Sequence, residues 1–394
     1  MAERENKMKQ SKWLPSIIIF VLSALLLNAC GLSTEASSTP TSSPPTFTAV
    51  PPTSTQVAPT LIAPSVTPTL ISIRADTLNM LGIFKSFELG KLGEPVRSLT
   101  FTPDGTALAA AGGNAREFVT NIWDVASGQS LAVLSGHDGI IWDLAFSPDG
   151  RMLASVSSDK TAQIYDWRKG DMLKTLNFPG EVVSVNFSPD GQILAVGGVD
   201  EPHDQVMNAA VWTFSVGSWK PLLKFPEYMN ITALAFSPKG GTLVGGGTSR
   251  NVQVWRTDNG TAIFTLNHAH QVTKAAISPD GTILATGTCK TVLNYDCMEG
   301  EVWLWSLPTG RLKRKLAGFP NIVENLAFSV DGSSLIVGSR DGTLRVYATA
   351  DYEPRFEAAS PGGIHTLAVS PDGGLLATGN DRGEVHLWKI VYHP

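Results

Sequence analysis

His137, Ser157 and Asp159 supply an imidazole, a hydroxyl and a carboxylate, the groups a hydrolase combines to activate a serine nucleophile. The residues around Ser157 form no glycine-flanked nucleophile elbow, so the chemistry is present in type but not in local form. The stretch from Asp200 through His203 to Asp204 could hold a cation. Its spacing matches neither a calcium loop nor a zinc site, and a solvated acidic loop is the simpler reading. No Cys/His metal set, paired-carboxylate signature or phosphate-cradling glycine loop occurs, and no cofactor is expected.

The elements that must position these groups repeat. Phe101-Thr-Pro-Asp-Gly105 recurs, with small changes, beginning at Phe146, Phe187, Phe236, Ile277, Phe328 and Val369, with successive starts 45, 41, 49, 41, 51 and 41 residues apart. An apolar residue closes a strand, Ser and Pro open a turn, and Gly takes the left-handed position that returns the chain antiparallel. Lys239 replaces the Asp once and Val330 the Pro once, while the Gly is present in every copy. Three residues after each turn glycine stands a Leu, on a second strand that runs into small residues such as Val196-Gly197-Gly198. A third strand ends in Trp123, Tyr165, Trp212, Trp255, Trp305, Tyr347 or Trp388, read as packing between neighbouring units. A period in the forties built from strands and tight turns predicts an all-β, seven-bladed β-propeller. The last unit lacks a fourth strand and a spare strand-like stretch runs from Leu81 to Leu89. The expected closure is therefore a last blade completed by the N-terminal strand, which removes a sheet edge.

The 394 residues are 43% apolar and 16% charged with net charge −5, enough material for one large folded unit and too little concentrated basic surface for nucleic acid. Arg311, Lys313 and Arg314 alternate with apolar residues and read as a solvated strand edge. At the N-terminus, Lys7, Lys9 and Lys12 precede a short apolar run, Ile17 to Leu27, followed by Asn28-Ala29-Cys30-Gly31. That order describes an export signal rather than a membrane span, and Leu27, Ala29, Cys30 and Gly31 resemble a bacterial lipoprotein signal. The resemblance implies cleavage after residue 29, lipidation of Cys30, and anchoring on the outer face of the cytoplasmic membrane, or in an outer membrane if there is one. Residues 30–78, dominated by Ser, Thr and Pro, read as an extended tether, and residues 79–394 as the propeller. In an exported, oxidising setting Cys289 and Cys297 are then expected to pair as a disulfide, free or metal-binding thiols being the alternatives.

With these turns, strands and the Trp123-Asp124 pair, the chain resembles the WD-repeat β-propeller family over about 315 residues. The resemblance implies a structural hydrogen-bond network, here His137, Ser157 and Asp159 with Tyr165 in the Trp position, in place of catalysis. His268 with Thr288, and Ser339 with Asp341, are partial copies. It also points to one face, where the residue four places before each turn lies: Arg97, Trp142, Val183, Thr232, Thr273, Glu324 and His365, with Arg340 and Asp381 in adjacent loops. From turn glycine to third-strand aromatic the chain takes 15 residues in four units, but 18, 21 and 24 in units 1, 3 and 5, and that extra length emerges on the same face. Of these, Arg97, Trp142, Thr232, Glu324, Arg340, His365 and Asp381 are the candidate protein-binding set. The expected function is a monomeric, non-catalytic, membrane-tethered scaffold for protein partners. The alternative is a propeller enzyme or small-ligand binder that uses the central channel.

Overall fold

A computed structural model describes residues 81–88, 95–112, 118–203, 206–228, 231–293 and 296–390. The signal stretch, Cys30, the tether and Asp204 lie outside these residues. Seven four-stranded antiparallel sheets follow one another along the chain: 98–135, 141–177, 182–228, 231–267, 272–319 and 323–359 form blades 1 to 6. Blade 7 takes three strands from 364–390, and its outer strand is Leu81–Glu88. That strand pairs antiparallel with the last one, from Leu81 opposite Ile390 to Glu88 opposite Glu384, so the first described strand completes the last blade as the sequence predicts.

Each turn is built the same way. The turn glycines, Gly105, Gly150, Gly191, Gly240, Gly281, Gly332 and Gly373, all have φ between 69° and 76°, which a side chain would strain. In blade 2 Ser147 Oγ donates to Asp149 Oδ1 (2.5 Å) and accepts from the backbone N of Met152 (2.9 Å), locking turn to second strand. Blades 3, 5, 6 and 7 repeat the pair. The turn proline has a second use that the sequence does not announce. A Cβ placed on Gly150 would lie 3.5 Å from the ring of Pro103, and one on Gly105 would lie 3.6 Å from Pro371. Each such proline therefore packs against the turn of the following blade.

The apolar core divides between blades. Val182, Phe187 and Leu194 of blade 3 pack on Ala154, Ile164 and Leu176 of blade 2, and a comparable cluster fills each of the other boundaries. The third-strand aromatics sit there as expected: Trp255 joins blade 3, Tyr347 joins blade 5, and Trp388 joins blade 6. Small second-strand residues mark the closest approaches. A Cβ on Gly379 would come within 2.6 Å of Val96, at the boundary where blade 7 meets blade 1. On the outer edge of blade 5, Arg311 to Lys315 are exposed, and Arg314 pairs at 2.7 Å with Glu353, an ion pair water weakens.

Candidate interaction face at the channel mouth

The innermost strand of every blade lines the axis, and blades 2 to 7 share an irregularity in it. Ile141 pairs with Ser157 and Asp143 with Val156, so that Trp142 is the extra residue of a β-bulge. The same skip isolates Val183, Thr232, Thr273, Glu324 and His365. A bulge takes a residue out of the ladder and re-aims its side chain. The positions singled out from the sequence are thus the ones the backbone releases at this end of the ring. Arg97 holds the matching place in blade 1, its N–H donating to Ala111 O at 2.8 Å.

These residues divide into two arcs. In blades 4 and 5 the threonines are committed to the scaffold: Thr232 Oγ1 donates to Val272 O (2.7 Å), and Thr273 Oγ1 to Val323 O, each in the next blade. Thr232 is therefore a blade-to-blade tie and does not join the other candidates. In blades 6, 7, 1 and 2 the side chains at these positions are charged or aromatic. The Arg97 guanidinium lies 5.0 Å over the Trp142 ring, and Arg340 approaches Glu324 at 3.8 Å. Burial pushes the Glu324 carboxyl up, opposed by Arg340 and Arg97. Burial also drives His365 down to about 4, helped by Arg340 and Arg97 and opposed by Asp381. Asp381 accepts from Gly363 N at 3.2 Å. Two polar atoms in this arc, Trp142 Nε1 and His365 Nε2, are buried without a partner, a costly state that a folded chain normally avoids.

One residue deeper lies a belt that is polar in six blades, Ser98, Asp143, Ser184, Lys274, Asn325 and Thr366, with Ala233 in the remaining one. Asp143 is its hub, accepting from Ser98 Oγ (2.9 Å), Ser184 Oγ (3.3 Å) and Val185 N (3.1 Å). Lys274, from blade 5 on the opposite side of the ring, reaches it at 3.9 Å. Asn325 Nδ2 donates to Thr366 Oγ1 at 3.3 Å. Sequence reasoning missed this belt. Its signal is a polar residue three places before the turn in six of seven units.

The WD40 family (WD domain, G-beta repeat) matches six segments, 128–166, 170–201, 219–256, 260–296, 310–348 and 355–389, more than half of the chain. The chain belongs to the WD40 repeat family. Each matched repeat begins at or near the outer strand of one blade and runs into the inner strands of the next, so the inner strands of blade 1 precede the first match. Among curated proteins it is 27% identical to periodic tryptophan protein 2 of Arabidopsis thaliana over 73% of this chain, and spans 28% of that protein's length. It is 25% identical to the serine-threonine kinase receptor-associated protein of Gallus gallus, over 67% of this chain and 71% of the relative. It is 24% identical to eukaryotic translation initiation factor 3 subunit I of Drosophila sechellia, over 68% of this chain and 86% of the relative.

The WD40 hydrogen-bond network of blade 2 differs in two members from the sequence expectation. His137 Nδ1 meets Asp159 Oδ2 at 2.7 Å, but the hydroxyl at Nε2 is Ser155, at 2.8 Å. Ser157 Oγ instead accepts from Asp159 N at 3.1 Å, and the Tyr165 hydroxyl donates to Ser135 O at 3.1 Å, outside the triad. Alternate residues of a strand share a face, so Ser155 and Ser157 differ only in depth, which periodicity does not reveal. Blade 5 repeats the pattern with His268 Nε2 on Thr286 Oγ1 (2.8 Å) in place of Thr288. In blade 6 Ser339 Oγ sits near Ile322 O (3.2 Å), and Asp341 accepts from Thr343 N (2.9 Å). The Ser155–His137–Asp159 chain has the connectivity of a catalytic triad, yet Ser155 is 2% exposed and closed to substrate. Burial works against the Asp159 carboxylate, but the His137 and Thr161 hydrogen bonds hold it down at about 2.

Burial holds His268 at about 4, with the Leu266 carbonyl opposing and Lys315 assisting. The folded value lies below the unfolded one, so between pH 6.5 and 4 the unfolded chain binds a proton that the folded chain refuses. Stability is then unaffected above pH 7 and falls on acidification by up to about 1.4 kcal/mol per pH unit for this group. His365 adds a slope of the same sign. Urea midpoints measured from pH 7 to 4.5 are expected to fall less steeply in His268→Gln. An unchanged slope would show that His268 titrates normally in the fold.

The extra length in units 3 and 5 forms extended hairpins rather than irregular loops. Blade 3 runs Ile193–His203 into Val206–Ser215, and blade 5 runs Ile283–Leu293 into Asp296–Ser306. The disulfide expected between Cys289 and Cys297 staples the second hairpin, with Cα atoms 5.8 Å apart. Asp200 is paired with Lys224 at 2.7 Å. Among the described residues no group of three His, Cys, Asp or Glu side chains is arranged to hold a metal, and no helix is long and apolar enough to cross a membrane.

Proposed function

We propose that this WD40 propeller is a non-catalytic scaffold, tethered through lipidated Cys30 outside the cytoplasmic membrane, that binds protein partners at the channel mouth. The observation that carries the binding surface is the arc of bulged Glu324, His365 and Trp142 with Arg97 at the matching place in blade 1, and Arg340 and Asp381 beside it. Four consecutive blades there release charged and aromatic side chains, while the threonines of blades 4 and 5 are spent on scaffold bonds. An aromatic anchor ringed by polar groups is the usual composition of an interface hot spot. The names of two relatives, a receptor-associated protein and a subunit of an initiation factor, agree with a role in assemblies. The tether rests on the order of basic, apolar and Cys30-containing segments at the N-terminus. Use of the central channel by a substrate is less well supported, because Asp143 and Lys274 meet across the axis.

The test places a photo-crosslinking benzoylphenylalanine at position 142 in the native host, with a second at exposed Leu173 on the outer rim as control. A single protein captured from position 142 alone, and lost on Arg97→Glu, is the expected result. Equal capture from both positions, or a stoichiometric small molecule co-purifying with the chain, would sink the reading. Cys30→Ala is expected to move the chain from the membrane to the soluble fraction.

A further inference from the structure

The arc at the mouth is chemically unbalanced in a specific way. Arg340 approaches the Glu324 carboxylate, whose burial disfavours its charge, and Arg97, lying over Trp142, acts on the same carboxylate electrostatically. The contact is loose, 3.8 Å from Arg340, longer than a charge-assisted hydrogen bond. Beside it the Trp142 indole N–H, which can only donate, is buried with no acceptor. His365, 8% exposed, likewise has an unpartnered ring nitrogen. Positive charge with an ill-fitting counter-ion, and a donor with no acceptor, share one complement, an anionic acceptor brought from outside.

Resting on the reading of this mouth as a protein-binding surface, we infer that it receives a side-chain carboxylate from an acidic segment of the partner, which displaces Glu324 as the counter-ion of Arg97 and Arg340 and accepts from Trp142 Nε1–H. Arg97 lies across the indole. Turning its guanidinium onto the incoming carboxylate uncovers the ring N–H. Glu324 therefore acts as an internal competitor, and its removal strengthens binding instead of weakening it. A residue that merely packs or solubilises the face would not behave in this way.

The experiment uses the purified full-length chain and fluorescein-labelled flexible peptides with both ends blocked. One carries two adjacent glutamates, a second two glutamines, a third two lysines, and a fourth is the glutamine peptide with a free terminal carboxylate. Anisotropy is expected to show the glutamate peptide binding at least tenfold tighter than the glutamine and lysine peptides. Arg97→Gln and Trp142→Phe should each weaken it about tenfold without lowering the melting temperature, and Glu324→Gln should tighten it severalfold. Equal binding of glutamate and glutamine peptides, or weaker binding to Glu324→Gln, overturns the inference. Binding only of the free-terminus peptide overturns the side-chain source. If no peptide discriminates while crosslinking from position 142 persists, the carboxylate inference fails and the binding-surface reading stands. If both are lost, both fail.

Discussion

Deleting residues 81–88 is expected to lower the melting temperature by roughly 5–10 °C and to make 364–390 the first segment cut by protease. The strand Leu81–Glu88 forms the whole outer edge of blade 7 and is in register with 384–390 along nearly its full length. Its loss removes several ladder hydrogen bonds, each contributing about 1 kcal/mol net, and leaves an unpaired edge that can recruit other chains. The ring does not fall open, because blade 7 still meets blade 1 through Ala377, Val385 and Leu387 against Val96, Leu99 and Phe101, and through Val96 N donating to Asn380 O at 3.0 Å. The expected product is a closed but weakened and aggregation-prone propeller. Differential scanning calorimetry with limited proteolysis checks it, and an unchanged melt would show that these strand bonds add nothing to closure.

That closure was readable because the strand-like stretch from Leu81 lies outside the repeated turn-and-strand pattern, and the structure pairs it with the third strand of the last unit. The resemblance to WD-repeat propellers, not the period, pointed to a fixed offset from each turn, and Trp142, Glu324 and His365 at that offset are bulged out of the ladder, with Arg97 at the same offset in blade 1. What a period cannot convey is depth and reach. Ser155 and Ser157 share a face, so the sequence could not say which hydroxyl His137 meets. Thr232 occupies the same repeat position as Trp142, but its short hydroxyl is captured by the Val272 carbonyl, whereas an indole cannot make that bond. The extra residues of units 3 and 5 carried no strand signature at their tips, yet each hairpin lengthens because its two arms stay paired, across register shifts, as far as His203 opposite Val206 and Leu293 opposite Asp296. Lys274 and Asp143 sit in distant repeats, and only ring closure brings them together.

That cross-channel pair carries the second large expected effect. Asp143 is 8% exposed and satisfies three donors besides Lys274. In Asp143→Ala, Ser98, Ser184 and the Val185 amide lose their acceptor together, and the Lys274 ammonium is left in the channel without its counter-ion. Removing one partner of a buried charged network costs about 3–5 kcal/mol, which for a domain this size is roughly 5 °C in melting temperature. Asp143→Asn keeps an acceptor for part of the set and should lose about half as much, since the charge alone is gone. Lys274→Met is the informative partner. Made alone it leaves Asp143 with its three hydrogen bonds and should cost little, and made in Asp143→Ala it removes the stranded cation and should restore part of the loss. The cycle measures the coupling directly. A coupling near 1–2 kcal/mol means that blades 2 and 5 are tied across the axis and that a ligand meets the propeller at its mouth. Strict additivity means that the two side chains do not meet, the channel is open at this level, and the small-ligand reading regains its ground.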